Sequence, residues 1–112
     1  MVDDGTLADG SCVPCRGGVP PLPLESVKKL LGQIDGWCAE GNHHIVREFA
    51  FDDFRGALEF VNAVGEIAET EDHHPDLYLA WGKARVEIWT HKIDGLTESD
   101  FILAAKIDRI TG

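Results

Sequence analysis

The densest group of ionisable side chains in the sequence is Glu69, Glu71, Asp72, His73 and His74, followed at once by Pro75. Imidazole suits proton transfer near neutrality, because its ordinary pKa of about 6.5 lets one ring donate while another accepts. Neighbouring carboxylates orient such rings and favour their charged form. Proline disfavours helical backbone for the residue before it, so His74 is expected to be extended, at a corner where helix gives way to strand. A third imidazole, His91, follows seventeen residues after His74. If the strand that starts after Pro75 pairs antiparallel with the strand that ends at His91, their ends lie side by side. His73, His74 and His91 would then share one pocket with two or three carboxylates. Positioned acid–base groups are worth about 100- to 10,000-fold in rate, enough for a reaction that is already feasible uncatalysed. Two other readings of the same residues stand beside this one. The histidines could be a polar surface corner plus an unrelated strand residue, or they could hold zinc with one coordination position open.

The elements that would position these groups read as follows. Residues 1–23 form an extended arm in which SCVPCRGGVPPLP carries four prolines and the Cys12-x-x-Cys15 pair, without helical or strand periodicity. Residues 24–112 form one domain. Val27, Leu30, Leu31 and Ile34 fall at helical spacing, which predicts a helix over 24–34 ended by Gly36. Trp37 to Ala39 and His44 to Phe51 predict two strands about a Gly41-Asn42 turn. Asp52 or Asp53 caps a long helix over 54–70, whose apolar face is Ala57, Phe60, Val61, Val64 and Ile67. Leu77 to Trp81 and Ala84 to His91 predict a second hairpin around Gly82-Lys83. In its second strand Ala84, Val86, Ile88 and Thr90 alternate with Arg85, Glu87 and Trp89. Thr97 caps a last helix running to Ile110, with Asp100 three residues on as in a capping box. The order α-β-β-α-β-β-α predicts an α+β fold: a four-stranded antiparallel sheet with three helices packed on one face.

Composition removes several function classes. The formal net charge is -10, from 20 acidic and 10 basic side chains. A field of that sign repels phosphate backbones and argues against nucleic-acid binding. No apolar run approaches the roughly 18 to 20 residues that span a bilayer, and the acidic start MVDDGTLADG does not resemble a secretory signal. A cytoplasmic protein without a membrane partner is expected. Three cysteines in such a chain do not suggest a disulfide framework. His43 and His44, which open a strand, are expected to be solvated and are given no role.

The run Glu69-x-x-x-His73-His74-Pro75, with Trp81, His91 and Asp100 following in register, resembles the pterin-4a-carbinolamine dehydratase family. Gly36-Trp37, Arg47-x-Phe49-x-Phe51, Gly95-Leu96-Thr97 and Ala104-Ala105 match as well, so the resemblance spans about residues 24–110. It implies the fold just read, built into homodimers or homotetramers. It also implies a hydro-lyase, 4a-hydroxytetrahydrobiopterin dehydratase, that converts 4a-hydroxytetrahydropterin from aromatic amino acid hydroxylases to quinonoid dihydropterin without metal or organic cofactor. By motif position His73, His74 and His91 fall on the family's catalytic histidines and Glu69 on its supporting carboxylate. The pterin would be contacted by Asp72, His73, His74, Trp89, Thr90, His91 and Lys92. Trp89 departs from many relatives, which have a smaller residue there. Its indole could stack on the pterin, narrow the pocket or lie at an interface. Asp100 reads as a helix cap rather than a catalyst, and Trp81 as packing. The alternative function is a non-catalytic binding or assembly module, since relatives serve as a dimerisation cofactor of a transcription factor and in Rubisco assembly. Retention of all three histidines and Glu69 argues for the enzyme.

Overall fold

The structure, a computed structural model, describes residues 20–111 together with Leu7 and Gly10. The Cys12–Cys15 pair lies outside the described residues. Helix α1 (Leu24–Leu31) ends earlier than the apolar spacing predicts. Gly32 closes it by donating its amide to the Lys28 carbonyl at 3.2 Å. Ile34, in register with the helix by sequence, reaches the core from a bend instead and is still buried.

Strands β1 (Cys38–Glu40) and β2 (His44–Ala50) are joined by a turn in which Gly41 and Asn42 both take positive φ, 58° and 53°. That backbone is cheap for glycine and tolerated by asparagine. Helix α2 (Phe54–Glu71) starts at Asp53, whose Oδ1 accepts from the Gly56 amide at 2.8 Å. Strands β3 (Asp76–Ala80) and β4 (Lys83–Ile88) form the second hairpin, and α3 (Glu98–Thr111) closes the chain. The four strands are antiparallel in the order β1-β2-β4-β3. This is the expected α+β architecture.

Alternation along the strands separates the faces of the sheet. Ile45, Phe49, Ala84, Val86 and Ile88 point into the core beneath the helices. On the other face Arg85 lies between acids, 2.7 Å from Glu87 and 3.3 Å from Glu48. Helix α3 contributes most to the core: Phe101, Leu103, Ala104 and Ile107 are fully buried. Leu7 is buried in the same cluster. Near the C-terminal end of α3, Asp108 accepts from Trp37 Nε1 at 2.9 Å and from Arg47 Nη1 at 2.8 Å, locking the β1–β2 hairpin to the helix. Burial pushes the Asp108 carboxyl up, and this outweighs the opposing pull of Trp37, Arg47 and the Asp35 amide. No helix among the described residues is long and apolar enough to cross a membrane.

Strand β4 stops at Ile88 rather than continuing to His91. Beyond it, Thr90 and Gly95 form an isolated antiparallel bridge. The Thr90 amide donates to the Gly95 carbonyl at 2.8 Å. The four residues between are folded into a tight loop, a single 3₁₀ turn (His91–Ile93) closed by Asp94 at φ 54°. His91 therefore leads a turn and is not the last residue of a strand.

Candidate active site

Asp100 is fully buried in the first turn of α3, and its carboxylate is engaged on both oxygens. Oδ2 accepts from the Thr97 amide at 2.8 Å and from Thr90 Oγ1 at 2.9 Å. The first bond is the expected capping-box contact. The Thr97 hydroxyl lies 3.0 Å from Thr90 Oγ1. Since Thr90 gives its proton to Asp100, Thr97 is the donor of that pair. Oδ1 meets His73 Nε2 at 2.6 Å. A carboxylate can only accept, so Nε2 carries the hydrogen and the Nδ1 lone pair is left open. A charge-assisted bond to a desolvated acceptor is among the stronger kinds of hydrogen bond. His73 is the best-fixed imidazole of the site, only 12% exposed.

The backbone makes this contact through the end of α2. Asp72 occupies the left-handed region at φ 54° and caps the helix, while the His73 amide returns to the Ala68 carbonyl at 3.1 Å. The chain then turns through Pro75 into β3, where Asp76 pairs with Glu87. His73 precedes Asp76 by three residues and Thr90 follows Glu87 by three, so both leave the sheet at the same end, where one carboxylate reaches both. His74 points the other way. Its Nε2 lies 2.6 Å from Glu69 Oε2, and both side chains are solvent-exposed, at 52% and 76%. Glu69 thus meets His74 among the imidazoles. Asp72 itself is exposed.

His91 and Lys92 are exposed on the 3₁₀ turn, and among the described residues the His91 ring makes no hydrogen bond. It packs edge-on against Trp89, with ring centroids 4.4 Å apart at 72°. Trp89 also meets His43 at 5.3 Å and His44 at 5.7 Å. These two histidines are not free surface groups. Their Nδ1 atoms are 3.0 Å apart, while His43 Nε2 lies 2.6 Å from Asp94 and His44 Nε2 lies 3.2 Å from Glu40.

The residues expected at the site thus lie at one end of the sheet, in three groups. His73 and Thr90 converge on Asp100. Trp89 and His91 stack one residue to either side of Thr90. His74 and Glu69 form a separate exposed pair at the end of α2. Among the described residues no bond joins the three imidazoles directly. Two cavities of the chain lie elsewhere. One of about 570 Å³ is lined by Arg47, Phe49, Phe51, Phe60 and Ile110, and its guanidinium is already engaged by Asp108. The other, of about 290 Å³, lies between α2 and α3 at Glu66 and Lys106. Neither cavity is lined by a residue expected at the site. Among the described residues no three His, Cys, Asp or Glu side chains are grouped as a metal site. Sequence reasoning gave Asp100 the cap and missed its bond to His73; the signal was its fixed place in the spaced motif. It also missed His43 and His44. Their signal is the strand register, which sets His44 across from Trp89 one step past the Ile45–Ile88 pair.

A family model described as pterin 4 alpha carbinolamine dehydratase matches residues 20–110. A protein of Rubrobacter xylanophilus named "Putative pterin-4-alpha-carbinolamine dehydratase" is 56% identical over 104 residues, covering 93% of this chain and 97% of its own. One of Rickettsia bellii with the same name is 53% identical, covering 92% of each chain. Among solved structures, a transcriptional coactivator/pterin dehydratase from Brucella melitensis superposes with a TM-score of 0.77 at 34% identity, over 82% of this chain and 99% of that one. A pterin dehydratase-like protein described as a RuBisCO assembly factor in the alpha-carboxysome shares the fold, with a TM-score of 0.60 at 19% identity, over 69% of this chain and 90% of that one. With nearly the whole described chain matched and the motif histidines at one sheet end, the chain belongs to the pterin-4-alpha-carbinolamine dehydratase family.

Proposed function

We propose that this chain dehydrates 4a-hydroxytetrahydrobiopterin to quinonoid dihydropterin, serving the recycling of tetrahydrobiopterin after aromatic amino acid hydroxylation. The observation that carries the reading is the 2.6 Å bond between His73 and the buried Asp100. In this reaction the C4a–O bond breaks, the hydroxyl takes a proton and leaves as water, N5 gives up its proton, and a C4a=N5 double bond forms. One proton is delivered and one removed, so an acid and a base are needed and no redox partner is. His73 is the base in this scheme: Asp100 fixes the tautomer that leaves Nδ1 open and stabilises the imidazolium once it forms, the role a buried carboxylate plays behind a catalytic histidine. His91, exposed and without a hydrogen bond among the described residues, is the acid. His74, oriented by Glu69, holds the pterin. Asp72 and the stretch Trp89 to Lys92 complete the contacts.

The likeness to an assembly factor is one of fold, and a scaffold would have no use for a carboxylate that selects an imidazole tautomer. The test is dehydration of synthetic carbinolamine by purified protein, with and without a chelator. Wild type is expected to accelerate the reaction in both cases, and His73→Ala and His91→Ala are each expected to lose about 100-fold or more. Wild-type turnover retained by both variants would remove the acid–base scheme, and loss of activity on chelation would point to a metal at these imidazoles.

A further inference from the structure

His91 has no hydrogen bond among the described residues, yet an acid in a dehydration has to meet the departing oxygen at a fixed place. What fixes it comes from the opposite hairpin. Asp94, in left-handed backbone, closes the 3₁₀ turn that His91 opens. Its Oδ1 lies 2.6 Å from Nε2 of His43. His43 sits in the β1–β2 turn, held there by its own amide, which donates to the Glu40 carbonyl at 3.0 Å. The loop carrying His91 is therefore tied at two points, by the Thr90–Gly95 bridge at its base and by the Asp94–His43 bond at its tip. The His43 ring also contacts the indole against which His91 packs, with centroids 5.3 Å apart. Behind it stands His44, whose Nε2 reaches Glu40 at 3.2 Å and whose Nδ1 lies 3.0 Å from that of His43. Contacts of hydrogen-bond length run from Asp94 through His43 and His44 to Glu40. A solvated pair of strand histidines would have no reason to align in that way.

We propose that His43 is a positioning residue for His91: through Asp94 it clamps the 3₁₀ loop, and through Trp89 it holds the imidazole at the angle from which it meets the substrate. His44 and Glu40 hold His43 in turn. The proposal rests on His91 acting in the proposed reaction, but the clamp itself is a property of the free protein. It is tested in free protein first, by amide hydrogen exchange over residues 92–95 and by the imidazole resonances of His91. His43→Ala is expected to raise loop exchange about tenfold or more and to move the His91 resonances. His43→Gln carries an amide donor at about the reach of Nε2, and it is expected to restore the wild-type pattern. The urea midpoint checks that both variants are folded. In the carbinolamine assay, His43→Ala is expected to lower kcat about tenfold to a hundredfold, the scale set by small misplacements of a catalytic group, with little change in KM. His43→Gln is expected to recover most of that. Unchanged exchange and resonances in His43→Ala would overturn the clamp. A loosened loop with unchanged kcat would overturn the positioning role. If wild type itself fails to dehydrate carbinolamine, the proposed reaction falls, while exchange and resonances still decide the clamp.

Discussion

Asp100→Asn separates the structural from the chemical work of one carboxylate. The asparagine oxygen can take the place of Oδ2 and keep the Thr97 amide and the Thr90 hydroxyl, so the helix cap survives. The amide nitrogen then replaces Oδ1, 2.6 Å from His73 Nε2. Two donors cannot face each other at that distance, so His73 must move its hydrogen to Nδ1, and the nitrogen meant to accept a proton is blocked. The variant exchanges a charge-assisted bond, worth about 1.5–3 kcal/mol, for a neutral one worth about 0.5–1.5 kcal/mol, and loses on the order of 1–2 kcal/mol of stability. The rate is expected to fall by about 100- to 10,000-fold, which is about 2.7–5.4 kcal/mol at 1.36 kcal/mol per decade. Asp100→Ala differs: it removes all three bonds and the cap and takes away the acceptor of the buried Thr90 hydroxyl, about 3–5 kcal/mol by the same magnitudes. The assays are urea unfolding, nitrogen shifts of the His73 ring to read the tautomer, and carbinolamine turnover well below the melting temperature. An Asp100→Asn protein with an inverted His73 tautomer and wild-type kcat would refute the reasoning, because the base would then have been shown not to matter.

Two further outcomes follow from the same geometry. Glu69→Gln breaks an exposed pair, so it is expected to change stability by less than about 1 kcal/mol in urea unfolding while raising KM for the pterin several-fold more than it lowers kcat. A kcat loss with unchanged KM would move His74 from holding substrate to transferring protons. Asp108→Asn tests the half-buried carboxyl near the end of α3. Burial raises its native pKa above the ordinary 3.8, so the folded state holds that proton more tightly than the unfolded one. The contribution is complete below the ordinary value and is lost as pH rises through the native one. Wild type should therefore lose stability relative to Asp108→Asn between pH 4 and pH 7, measured by urea unfolding at both. The reverse trend would mean that Arg47 and Trp37 outweigh burial.

Much of this fold was legible because its signals are local. Gly41-Asn42 announces the first hairpin through the positive φ that both residues adopt. Ala84, Val86, Ile88 and Thr90 alternate with polar neighbours because one face of β4 is buried, and all four are. Where the reading slipped, a non-local contact set the boundary. Nothing in the residues 89–95 says that Thr90 pairs with Gly95, so the strand was read through to His91 when the chain closes a tight loop there. Ile34 continued the helical spacing of α1, but that spacing reports burial, and Ile34 is buried without being helical. His43 looked solvated because its partner, Asp94, is 51 residues away and meets it only through the order of the strands.

The candidate site shows the same division inside one side chain. The spacing of Thr97 and Asp100 revealed the cap, which is a bond over three residues; it could not reveal the bond over 27 residues to His73 made by the other oxygen. That second bond depends on strand register. Thr90 lies on the core face as Ile88 and Val86 do, and His73 is brought to the same sheet end because Asp76 pairs with Glu87. A slip of one residue between β3 and β4 would turn every side chain of one strand to the other face. Asp100 would then be left buried with one oxygen unmatched, a cost of about 1–3 kcal/mol or more for a charged group. Correct register and correct tautomer are therefore selected by the same carboxylate, which ties the positioning of the proposed base to the pairing that forms the sheet.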